Sequence, residues 1–117
     1  MRILLLLISF VTVLISGCDY DPEIVRLEAR ASCRSEFHSN ENAQTICLSC
    51  VQHGLRVAAQ LTRNGIPFHF LEQWRQYTSL SNVKGLSPWQ EHACQFGMDA
   101  LEFEFIRQSP HLEPTQP

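Results

Sequence analysis

Two cysteines three positions apart, in the stretch Ile46-Cys47-Leu48-Ser49-Cys50, constrain this 117-residue chain more than any other feature, because they are two of the four cysteines past Cys18 and each of the four needs a partner or stays unpaired. A C-x-x-C pair admits three chemistries: structural disulfides, a redox couple, or half of a metal site. The compartment decides among them, so the N-terminus has to be read first.

Met1 and Arg2 make a short positive start, and Ile3 to Ile15 is an apolar run broken only by Ser9 and Thr12. Its length suits the hydrophobic region of a signal peptide and is short for a membrane span. The run ends in Leu14-Ile15-Ser16-Gly17-Cys18, an aliphatic residue three before a cysteine that follows small residues. This segment resembles the lipobox of bacterial lipoproteins, over residues 1–18 only. The resemblance implies removal of residues 1–17, covalent lipid on Cys18 as the only attached group, and a mature protein held on a bacterial membrane facing the periplasm. Two or three acyl chains on one residue anchor stably where one does not. Asp19 after the anchor resembles the inner-membrane retention signal of enteric-type lipoproteins, which favours inner over outer membrane.

About 100 residues remain past the leader, enough for one small domain with a thin core, and such domains in oxidising compartments are commonly stapled by disulfides. Removing Arg2 from the nine basic side chains leaves eight against twelve acidic ones. That balance argues against a nucleic-acid partner, which would call for a basic excess. No repeat, low-complexity tract or glycine-rich phosphate loop is present.

The apolar spacing predicts four helices. Residues 18–21 read as anchor and tether, after which Asp21 as cap and Pro22 at the first helical position open a helix over 22–37. Its buried face is ambiguous, with Ile24, Leu27 and Ala31 on one side and Cys33 with Phe37 nearly opposite. Arg26, Arg30 and Arg34 form a stripe: a solvated face balanced by Glu23 and Glu28 is the simpler reading, contact with anionic lipid headgroups the alternative. Residues 38–44 read as a polar turn. The second helix, over 45–64, places Ile46, Cys47, Cys50, Val51, Gly54, Val57, Ala58 and Leu61 on one face and Ser49, Gln52, Arg56, Gln60 and Arg63 opposite. Cys50, Gly54 and Ala58 are small at four-residue spacing, which invites close approach by another helix. A third helix is expected over 68–80, and a fourth from Pro88 behind a Ser87–Gln90 capping box to about residue 108, with Trp89, Ala93, Phe96, Gly97, Ala100, Leu101 and Phe103 inward. Residues 109–117 read as a flexible tail. Short connections make the fold all-α, a small up-down bundle of about four helices within 22–108.

That topology gathers Cys33, Cys47, Cys50 and Cys94 at one end, away from the lipid if the bundle stands upright. Two disulfides are expected, joining the first helix to the second and the second to the fourth. Cys47–Cys50 is disfavoured because adjacent helical turns splay the pair. Cys33–Cys47 with Cys50–Cys94, and Cys33–Cys50 with Cys47–Cys94, both remain open. His38, His53 and His92 come to the same end, so a metal site on Cys47, Cys50, His53 and His92 is the alternative if the thiols stay reduced. A redox role would draw on Cys47 near a helix N-terminus, without the strand-helix-strand context of thioredoxin-like proteins.

Hydrolytic catalysis has weaker support: no G-x-S-x-G or H-E-x-x-H motif occurs, Glu102 and Glu104 point to different faces, and Glu104, though in the apolar sector of the fourth helix, is expected to be exposed near a frayed helix end. Phe68, Phe70, Trp74 and Tyr77 crowd the third helix. Core is the simpler assignment for them, a partner-binding patch the alternative. The expectation is a non-catalytic accessory module binding a protein of the bacterial envelope, with thiol redox or Cys/His metal binding as the alternative.

Overall fold

The computed structural model describes residues 20–63 and 70–108, so Cys18, Asp19, Phe68 and the tail over 109–117 lie outside the described residues. Four helices are present: α1 (Pro22–Glu36), α2 (Glu41–Arg63), α3 (Phe70–Thr78) and α4 (Pro88–Gln108), with one turn of 3-10 helix over Leu80–Asn82. Among the described residues there is no strand. No described helix is long and apolar enough to cross a membrane.

The helix starts follow the side chains that satisfy orphan amides. Asp21 accepts from the Glu23 and Ile24 amides ahead of Pro22. Helix α2 begins four residues earlier than the apolar pattern indicates, because the Asn40 carboxamide oxygen accepts from the Ala43 amide at 3.0 Å. The Gln44 side chain, turning back, donates to the Phe37 carbonyl at 3.3 Å. Helix α3 stops at Thr78, where Ser79 caps the 3-10 turn that follows. Gly85 has φ of +86°, a left-handed conformation that suits glycine. At α4 the Ser87 amide donates to Gln90 Oε1 at 2.9 Å, which is half of the expected capping box. The other half is missing, since the buried Ser87 hydroxyl has no partner.

Helix α2 is the hub. It runs antiparallel to α1, where Cys33 meets Cys47, and parallel to α4, where Cys50 meets Cys94. Two glycines let α2 and α4 come close. A Cβ on Gly97 would sit 2.7 Å from the Cys47 carbonyl oxygen, and one on Gly54 would sit 2.5 Å from Leu101 Cδ1. Trp74 of α3 lies over Gly54 and donates from Nε1 to its carbonyl at 2.9 Å, buried. Phe105 meets Trp74 edge-on with ring centroids 5.4 Å apart, and Phe70 at 5.5 Å.

The inward face of α2 holds Cys47, Val51, Gly54, Val57, Ala58 and Leu61 as expected, joined by Ala43, while Ile46 and Cys50 of that face are only half-buried. Other expectations are corrected. Helix α1 buries Val25, Ala29 and Cys33, leaving Ile24 and Leu27 exposed. Trp89 and Phe103 of α4 are exposed, while Met98 and Phe105 are core. Glu104 is buried rather than exposed, with one carboxylate oxygen 2.6 Å from Arg107 Nη2. Tyr20 and Asp21, within the expected tether over 19–21, make contacts with the helices. Tyr20 packs against Phe105 at 4.9 Å, its hydroxyl lies 3.3 Å from Thr62 Oγ1, and the Asp21 amide donates to Gln108 Oε1 at 3.0 Å.

Alanine at Gly97 gains about 1 kcal/mol of helix propensity but must displace backbone, and overpacking of this kind costs about 1–3 kcal/mol. At Gly54 the obstructing Leu101 atom is the end of a flexible side chain. In urea denaturation of the oxidised protein, Gly97→Ala is expected to lose more stability than Gly54→Ala. The opposite order would mean that α4 does not ride on the Cys47 carbonyl.

Candidate partner-binding groove

The structure joins Cys33 to Cys47 and Cys50 to Cys94, with Cα–Cα separations of 5.7 and 5.3 Å. This resolves the two connectivities open in the sequence. Cys33 and Cys47 are fully buried, whereas Cys50 is half-buried. The difference comes from helix geometry: Cys47 lies at the centre of α2's inward stripe, and Cys50 sits on its flank, reached sideways by Cys94.

That flank is a groove of about 410 Å³ between α2, the end of α3 with its 3-10 turn, and the start of α4. Its walls include Ile46, Cys50, Leu80, Leu86 and Met98, with His53 and Tyr77 among the lining residues. Tyr77 is 59% exposed and Val83, also lining the groove, is 48% exposed. Thr78, next along the chain, turns its hydroxyl inward to the Trp74 carbonyl at 2.7 Å, which fixes the last turn of α3 and so the position of Tyr77.

The aromatic residues of α3 divide accordingly. Phe70 and Trp74 are core and only Tyr77 faces solvent, while Phe68 is outside the described residues. Of the residues the sequence offers as a partner-binding patch, Tyr77 is the one that lines the groove. Leu80, Val83 and Leu86 lie in a connection with no helical period, so their gathering depends on the 3-10 turn after Ser79.

The histidines do not converge. His53 lines the groove, and His92 instead packs edge-on against Phe37, centroids 6.1 Å apart. His38 Nδ1 lies 3.2 Å from the Ser35 carbonyl oxygen. With all four cysteines in disulfides, Cys47 and Cys50 offer no thiolate to a metal beside His53 and His92. Among the described residues no group of three or more His, Cys, Asp or Glu side chains is placed to hold a metal ion.

On the opposite flank of α2, Arg26 and Arg30 of α1 line a cleft of about 340 Å³ with Thr45, Leu48, Ser49, Gln52 and Leu55. Arg26 bonds to Glu23 through Nε at 3.1 Å and through Nη2, which holds the Glu23 carboxyl below the usual carboxylate range. Arg34 continues the stripe, exposed. No family model, no curated protein and no solved structure shows a significant match to the chain.

Two outcomes follow from the burial pattern. Trp74→Ala should cost about 3–5 kcal/mol in denaturant titrations, as aromatic truncation in a core does, while Tyr77→Ala should stay within about 0.5 kcal/mol of the parent. Under graded reductant with alkylation and mass spectrometry, Cys50–Cys94 should open before Cys33–Cys47, because an attacking thiolate needs access to sulfur. Simultaneous opening would indicate that reduction requires global unfolding.

Proposed function

We propose that the protein is a small lipid-anchored, periplasm-facing module that binds a protein of the bacterial envelope and performs no chemistry of its own. The machines it would serve are secretion or conjugation complexes, or a system that excludes incoming DNA. The groove beside α3 carries the reading: in a domain with this thin a core, apolar groups such as Tyr77 and Val83 stand open to solvent along one concave flank. Exposed apolar surface around a preformed groove is a common mark of a protein-binding site. The lipobox resemblance supplies the address, inner membrane by the Asp19 reading, and the acidic balance of the mature chain disfavours a nucleic acid.

A second reading is thiol exchange at Cys50–Cys94, favoured by one observation: Cys50 is half-buried and borders the groove, so a peptide lodged there would lie against the disulfide. Free-thiol titration of protein taken from cells under acid quench separates the two. A binding module should show no free thiol, whereas a fraction of molecules with two free thiols on Cys50 and Cys94 would favour exchange.

For the binding function, a photo-crosslinking residue in place of Tyr77 should capture one envelope protein in living cells, and the same residue in place of Glu36 should not. Equal or absent capture from both positions would remove the groove as the binding surface. Cys18→Ala should release the protein from membranes and abolish the crosslink, and continued membrane attachment of that variant would contradict the anchor.

A further inference from the structure

The charges of the mature chain are segregated. Arg26 and Arg30 line the cleft between α1 and α2, and Arg26 and Arg63 line a second cleft that continues it toward Tyr20, of about 420 Å³. Arg34 follows Arg30 by four residues on α1, and Arg56 follows Gln52 of the same cleft by four on α2. One face therefore holds five of the eight basic side chains of the mature chain, against Glu23 and Glu41. The remaining basic residues are Arg75, Lys84 and Arg107, against ten acidic residues, of which Asp19 and Asp21 stay beside the anchor. Among the described residues, only Arg26 of the five has a carboxylate within ion-pair distance. Apolar groups sit among these arginines: Leu48 and Leu55 line the first cleft, and Leu27, four after Glu23 and three before Arg30, is 52% exposed.

We propose that this α1–α2 face lies on the anionic phospholipid surface of the membrane to which the protein is anchored, with its arginines on lipid phosphates and Leu27 at the headgroup boundary. The proposal rests on the anchor reading given above. Tyr20 belongs to the packed domain, so only Asp19 separates it from Cys18, and two residue steps span about 7 Å. The cleft around Tyr20, with Arg26 and Arg63, is thereby held at the lipid in any orientation. Arg34 lies fourteen residues from Tyr20, about 21 Å along the helix, and reaches headgroups only if the bundle lies down. Arginine suits this surface because its planar fork binds phosphate oxygens in pairs. The acidic residues of α3 and α4 would point away from the anionic surface, and the groove of Tyr77, on the other flank of α2, would stay open to the periplasm. The upright bundle expected from the sequence is replaced by one lying on its side.

The test uses the lipidated mature protein carrying Leu27→Trp, reconstituted into vesicles of phosphatidylcholine alone or with phosphatidylglycerol, with a nitroxide on the headgroups as quencher. The parent protein supplies the background of Trp74 and Trp89. Quenching at position 27 should rise several-fold with phosphatidylglycerol. Neutralising Arg30, Arg34 and Arg56 together to Gln should remove that rise, since each arginine near an anionic surface contributes roughly a fivefold preference. These residues are at the surface, and intact disulfides by non-reducing mass spectrometry confirm that the variant is folded. Quenching equal in both vesicles overturns the proposal. Arginine-dependent binding of soluble polyglutamate without phosphatidylglycerol-dependent quenching would instead assign the face to an acidic protein segment. Protein that fails to float with either vesicle type would refute the anchor itself, a result distinct from floating without quenching.

Discussion

The close approach of α2 and α4 is the constraint on which the other helices depend. Two parallel helices usually sit 8–10 Å apart because side chains fill the space between them. Here Gly54 and Gly97 remove the filler, so the α4 backbone rests on the Cys47 carbonyl and Leu101 fills the space over Gly54. With the seam this thin, the large rings are displaced to its edges. Trp74 covers Gly54 from α3, and Tyr20, Phe70 and Phe105 cluster at the end where α1 begins, while Phe37 and Phe96 pair at the other, centroids 5.5 Å apart. Helix α1 obeys the same economy of volume, presenting Val25, Ala29 and Cys33 to the core. The disulfides then lock a seam whose apolar area alone would hold it weakly, each bridge contributing about 2–4 kcal/mol.

Small residues at the seam also explain what was legible in the sequence and what was not. The inward face of α2 could be read directly, because its apolar residues outnumber its polar ones on one side and the glycine falls among them. Helix α1 could not be read this way. Its largest apolar residues, Ile24 and Leu27, are exposed, and the face is chosen by Cys33, whose disulfide to Cys47 turns Val25 and Ala29 inward. Glu104 was misplaced for a different reason: the helical period puts it on the apolar side of α4, and the expectation of a frayed end overrode that, whereas the helix holds to Gln108 and Arg107 keeps the carboxylate paired at the edge of the core. The start of α2 was hidden because Glu41, Asn42 and Gln44 have no apolar weight, and the Asn40 cap that extends the helix is a single hydrogen bond. The groove was the least legible feature, since it is assembled from a connection without periodicity.

Displacement of large side chains from the seam leaves the two flanks of α2 chemically different. One flank gathers arginines around leucines, the other gathers Tyr77, Leu80, Val83 and Leu86 around a disulfide. A single amphipathic helix accounts for this division: Leu48, Gln52 and Leu55 border α1, Ile46, Cys50 and His53 border the α3 side, and Ser49 alone lines both clefts, so each flank takes the character of the helix beside it. Helix α1 contributes charge and helix α3 contributes aromatic and aliphatic surface.

Packing of Tyr20 into the aromatic cluster bears on how strong a groove this small has to be. On the proposed reading, one residue separates the lipid from the domain, so a partner in the same membrane meets the groove at an effective concentration in the millimolar range rather than at its bulk concentration. A groove of about 410 Å³ with few exposed anchors would give weak binding in free solution. Held within reach of its partner, the same surface would be occupied most of the time at a dissociation constant near 100 μM, since occupancy depends on the ratio of local concentration to that constant. On that reading confinement would replace the interface area that a domain with so thin a core cannot supply.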